Sequence, residues 1–106
     1  MFNNGSSFFL QPVRVIYSYE KWEEDIPCKV AFTASKRNFK KAVDRNRIKR
    51  LLREVYRTNK ESLYDFLIKE NKQLAIAFVY TSNKLPEFTT LNLSMQEIIK
   101  RLIEQK

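Results

Sequence analysis

The chain has 106 residues, twenty Lys and Arg against twelve Asp and Glu, no His, one Cys and one Gly. Without an imidazole and with a single thiol, a Ser-His-Asp or Cys-His nucleophile, a Cys/His zinc site and an intrachain disulfide are excluded. No apolar run reaches the roughly 18 residues of a membrane span and MFNNGSSFFL lacks the basic start and cleavage site of a secretory signal, so the expectation is one cytoplasmic domain over residues 1–106 with no membrane partner.

Residues 1–12 read as irregular, with Asn3-Asn4-Gly5-Ser6-Ser7 as turn chemistry. Phe8 and Phe9 read as core residues ahead of a platform for a ligand. VRVIYSY, Val13 to Tyr19, is rich in β-branched and aromatic residues and predicts a strand. Its Tyr17 and Tyr19 are either half-buried packing residues or platforms on which unpaired bases stack. The acidic stretch EKWEEDIP is a loop, with Trp22 as a packing lid and Glu23-Glu24-Asp25 as solvated carboxylates rather than a metal site. CKVAFTA predicts a second strand hairpinned to the first, with Val30, Phe32 and Ala34 on one face and Cys28 as a small buried residue.

Asn38 is placed as the N-cap of a long helix. Ile48, Leu51, Leu52 and Val55 sit at i, i+3, i+4 and i+7, one apolar stripe. The phase continues through Leu63, Phe66 and Leu67, with a break near Thr58, where Thr58 and Glu61 have the spacing of a capping box. LAIAFVY, Leu74 to Tyr80, predicts a strand covered on both faces. Ser94 and Glu97 then suggest the start of a last helix, whose apolar stripe is Met95, Ile98, Ile99, Leu102 and Ile103. The order β-β-α-β-α predicts an α+β sandwich, with a sheet covered by the long basic helix and a C-terminal helix.

The charge is concentrated. Lys36, Arg37, Lys40, Lys41, Arg45, Arg47, Lys49, Arg50, Arg53 and Arg57 are opposed within their segment only by Asp44 and Glu54, so about a fifth of the chain carries the whole net charge of +8. A basic stripe on an otherwise neutral body is the footprint of a polyanion partner, most often nucleic acid. At i,i+4 spacing, Arg45, Lys49, Arg53 and Arg57 form a row, with Asn46 and Arg50 beside it. The row is expected to face away from the apolar stripe and to offer planar guanidinium forks to phosphates.

The wording of this segment goes further. SKRNFKKAVDRNRIKRLLREVYR resembles the signature of the bacterial ribonuclease P protein subunit, through Ser35-Lys36-Arg37, Arg45-Asn46-Arg47, Ile48-Lys49-Arg50 and Arg53-Glu54. The flanks are similar more loosely, with Phe2-x-x-Gly5 before the first strand. Only Met1 to Asn4 stand where a longer basic helix ordinarily precedes that glycine in the family. The resemblance implies a left-handed βαβ crossover and a role beside a catalytic RNA that removes the 5′ leader of precursor tRNA. It implies no cofactor on the protein, with Mg²⁺ held by the RNA subunit, and no obligatory protein partner. It places the Arg-Asn-Arg helix on the RNA subunit, and the single-stranded leader in a cleft at the sheet, for which Phe2, Tyr17 and Lys36 are the expected contacts. Two other readings fit a basic sandwich: a structural RNA-binding protein of ribosomal or ribosome-assembly type, and a nuclease acting alone. The chain offers the latter no acid–base pair.

Overall fold

The computed structural model describes residues 5–104; Phe2 lies outside them. Seven elements follow in order: β1 Ser6–Leu10, β2 Val13–Glu20, β3 Cys28–Ala34, α1 Ala42–Asn59, α2 Glu61–Lys69, β4 Gln73–Tyr80 and α3 Phe88–Glu104. They form an α+β sandwich around one sheet in the order β1-β2-β4-β3.

Two expectations are corrected by the sheet. The segment read as irregular contains β1, which pairs antiparallel with β2 from Ser6↔Tyr17 to Leu10↔Val13. Its period-two pattern is short: Phe8 and Leu10 share a face and pack against the core, while Phe9 points the other way. The predicted hairpin between β2 and β3 is absent, because β4 lies between them, antiparallel to β2 and parallel to β3. The β3–β4 connection through α1 and α2 is a βαβ crossover, which brings the basic segment out at one end of the sheet.

The register puts Cys28, Val30, Phe32 and Ala34 beside Leu74, Ile76, Phe78 and Tyr80, and these beside Val13, Val15 and Tyr17. This face meets the helices. Ile48, Leu52 and Val55 of α1, Leu63 and Leu67 of α2, and Leu91, Met95, Ile98 and Leu102 of α3 complete the core. Each such side chain contributes about 1.5–3 kcal/mol by leaving water. Among the described residues no helix packs on the opposite face, although Ala75 there is buried and Ala77 and Val79 are half-buried. Ala75 and Ala77 alternate with the large core residues there, and their small size explains why LAIAFVY reads as a two-sided strand.

The helix boundaries follow backbone hydrogen bonding more than capping patterns. Helix α1 starts at Ala42 after an extended Lys41, without a side-chain cap. Asn38 instead donates its amide to the Thr81 and Ser82 carbonyls at 3.0 and 3.4 Å. The break falls at Lys60, and the Thr58 hydroxyl turns back to the Glu54 and Val55 carbonyls instead of capping α2. Helix α3 begins six residues before Ser94. That serine is buried in mid-helix, and its hydroxyl donates to the Gln11 carbonyl at 3.0 Å, tying α3 to the β1–β2 turn.

Candidate nucleic-acid interface

Helix α1 buries Ile48, Leu52, Val55 and Tyr56. An i,i+4 row steps about 40° around a helix at each member, so the row from Arg45 to Arg57 is not straight with respect to the core. Arg45 and Lys49 lie half-buried at the border of the apolar stripe, whereas Arg53 and Arg57 are exposed. Directly outward stand Asn46, Arg47 and Arg50, all exposed.

Three of the ten clustered cations are engaged within the protein. Arg57 pairs with Glu54 at 2.6 Å, and that contact holds the Glu54 carboxyl below its usual range. Arg53 lies 5.6 Å from the centre of the Phe32 ring, a cation–π contact between α1 and β3. Arg45 donates from Nη1 to the Phe39 and Lys40 carbonyls at 2.7 and 2.9 Å. Among the described residues, Arg57 is the one cluster member with a carboxylate in ion-pair reach.

The loop between β3 and α1 carries Lys36, Arg37, Lys40 and Lys41, all exposed. Despite its charge it is closely tied. The Phe39 amide donates to the Ser35 carbonyl at 3.0 Å and the Arg37 amide to the Ser35 hydroxyl at 3.1 Å. The Phe39 ring is buried beside Tyr80, whose own hydroxyl donates to the Lys84 carbonyl at 2.7 Å. The loop and the outward side of α1 therefore present six exposed cations, from Lys36 to Arg50, on one edge of the molecule, with Lys49 half-buried beside them.

The open face of the sheet is a second surface. Cross-strand register aligns Phe9, Arg14, Val79 and Thr33 in one row, and Ser7, Ile16, Ala77 and Ala31 in the next. Phe9 is 49% exposed, and Arg14, Ala31 and Thr33 are exposed as well. The row has an aromatic ring and a guanidinium at one end and small side chains beyond them. The sequence reading favours the core for Phe9 over a ligand platform and gives Arg14 no role, whereas the structure exposes both. The alternation Val13-Arg14-Val15-Ile16 was the available signal, since it sets Arg14 and Ile16 opposite the core.

Tyr17 is not on this face. It is half-buried on the helix side, packed edge-on to Phe8 at 6.0 Å, and level with Val30 two strands away. Lys36 follows the far end of β3, so the structure does not bring Tyr17 and Lys36 to one groove. Tyr19 is 41% exposed and has Lys72 5.0 Å from its ring centre. Trp22 is half-buried within its own loop: its indole N–H donates to the Ile26 carbonyl at 2.8 Å, and Lys29 lies over the ring while pairing with Glu24. Cys28 is buried, accepts from the Tyr56 hydroxyl at 3.4 Å, and has its thiol pushed up to about 11 by burial. No group of three or more Cys, Asp or Glu is placed so that it could hold a metal ion among the described residues.

A one-sided sheet flanked by an arginine-rich helix and a pinned lysine loop defines a small basic domain of the RNA-binding class. Residues 1–103 match the family described as Ribonuclease P. Ribonuclease P protein component from Porphyromonas gingivalis is 36% identical over 102 residues, covering 96% of this chain and 74% of that protein. The one from Chlorobaculum tepidum is 35% identical over 101 residues, covering 87% and 66%. The structure of the Staphylococcus aureus RNase P protein superposes with a TM-score of 0.72 at 20% identity, covering 95% of this chain and 84% of that one. For the Thermotoga maritima RNase P protein in complex with 1-(4-fluorophenyl)-2-thiourea the TM-score is 0.69 at 19% identity, with 94% and 88% covered. The chain belongs to the ribonuclease P protein family: it is a protein subunit of the ribonucleoprotein endoribonuclease that matures the 5′ ends of tRNA, and the protein part is not the catalyst. The resemblance carried by residues 35–57 extends over the described sandwich, and the ribosomal-type and lone-nuclease readings give way to it.

Proposed function

We propose that this chain binds the ribonuclease P RNA through the outward side of α1 and the β3–α1 loop, and the leader of precursor tRNA across the open face of the sheet. The observation that carries this reading is the separation of the two surfaces. Asn46, Arg47, Arg50 and the loop cations project from the edge of the sandwich, where they neutralise phosphates without regard to sequence. The row from Phe9 to Thr33 crosses all four strands and suits one unpaired strand: Phe9 offers a ring to a base and Arg14 a fork to a phosphate. Cleavage is carried out by the RNA subunit with its Mg²⁺, in the cytoplasm, and the protein acts by positioning and charge. Tyr17, on the helix side, supports this face from behind rather than touching the leader.

The test compares precursor tRNA with mature tRNA as ligands of the reconstituted holoenzyme. Replacing Phe9 by Ala should weaken precursor binding by roughly 5- to 100-fold, the range of one lost base stack, and leave mature tRNA unchanged. Arg47→Ala should weaken assembly with the RNA subunit and not the preference between the two tRNAs. Equal losses for both tRNAs in Phe9→Ala would remove the leader from this face.

A further inference from the structure

Arg45 belongs to the Arg-Asn-Arg segment, yet its geometry differs from that of Arg47. It lies in the first turn of α1, where backbone N–H groups make a cation unfavourable. Its Nη1 carries two N–H groups, and both are used, on the carbonyls of Phe39 and Lys40. Those carbonyls belong to the loop whose lysines face outward. The other ties of that loop are the Phe39 and Arg37 amides on Ser35, the Phe39 ring beside Tyr80, and the Asn38 amide on the Thr81 and Ser82 carbonyls. Lys40 and Lys41, the last loop residues before the helix, have no such anchor besides Arg45 and the first helical turn. A guanidinium bridging two successive carbonyls fixes the direction of both peptide units, and with them the direction in which the neighbouring side chains leave the chain.

We infer that Arg45 is a positioning residue: it holds the β3–α1 loop in the shape that presents Lys36, Lys40 and Lys41 to the RNA subunit, and it does not itself meet the RNA. The inference rests on the reading that this loop binds RNA, and the test separates the two. Affinity for purified ribonuclease P RNA is measured for Arg45→Ala in three backgrounds: the natural chain, Arg50→Ala, and a chain with Lys36, Lys40 and Lys41 all changed to Ala. Coupling through the loop predicts a loss on the order of tenfold in the first two backgrounds and less than about twofold in the third. The same tenfold loss in all three, or no loss in the natural chain, would overturn the positioning role while leaving the RNA-binding loop in place. If the triple lysine variant binds as tightly as the natural chain, the loop reading and this inference both fall. Amide exchange of the free protein supplies the second readout. In Arg45→Ala the Phe39 amide should exchange about tenfold faster, with that of Leu52 unchanged. Faster exchange throughout the core would assign Arg45 to global stability instead.

Discussion

The buried thiol of Cys28 shows what environment does to one side chain. Burial raises it from its ordinary value near 9 to about 11, against a smaller opposing effect of the Tyr56 hydroxyl. The unfolded chain releases this proton first as pH rises, so the folded state holds more protons between about pH 9 and 11, and its stability falls across that window. The contribution is fully present below pH 9 and amounts to about 2 kcal/mol. Denaturant unfolding of the natural chain and of Cys28→Ala, compared from pH 8 to 11, should therefore converge by about this amount. A constant difference would mean the thiol is not shielded. Arg14 makes the complementary case: one charged residue between Val13 and Val15 marks which side of β2 is open, and it was legible once the period of two was taken seriously. Arg45 was not legible, because sequence spacing places it in a phosphate-binding row while its hydrogen bonds point back into its own loop.

At the scale of elements, the end of α2 is built by a left-handed Asn71, with φ 53°, whose amide donates to the Ile68 carbonyl at 3.2 Å while that of Lys72 donates to Leu67 at 2.9 Å. This is the double closure that satisfies the last carbonyls of a helix, and Asn tolerates it better than other non-glycine residues. Asn71→Val should cost about 1–2 kcal/mol in urea unfolding, and Asn71→Gly should cost nothing or stabilise slightly. Equal effects of the two would place the cost outside the backbone. Periodicity located α1 and β4 well because each buries a full stripe or alternate face. It misplaced the start of α3, since Ser94 and Glu97 imitate a helix start while Ser94 is occupied with Gln11 across the molecule. It missed β1, a five-residue strand whose pairing partner, not its own composition, makes it a strand. The hairpin between β2 and β3 failed for the same reason: pairing order is a tertiary property, and β4 inserts between them.

At the scale of the whole molecule, the net charge is carried by the β3–α1 loop and α1. The β3–α1 loop and the first turns of α1 gather cations where β3 ends, and α1 then runs back along the sheet until Tyr56 meets Cys28, near the loop that carries Glu23, Glu24 and Asp25. Such a field orients an approaching polyanion before contact. With Arg45, Arg53 and Arg57 engaged inside the protein, seven cluster cations remain for phosphates. Counterion release then sets the log–log dependence of RNA affinity on salt at a slope of about −5 to −6. A slope near −1 would reduce the cluster to a solvated face.

Reconstitution is the most direct measurement of what this subunit does. Purified protein is added to ribonuclease P RNA and precursor tRNA at a Mg²⁺ concentration where the RNA alone cleaves poorly, with protein alone as the control. Correct 5′ cleavage should appear only with RNA and protein together, and should be lost as salt is raised. No stimulation of the RNA, or sustained cleavage by the protein alone that a point mutation in the protein abolishes, would contradict it.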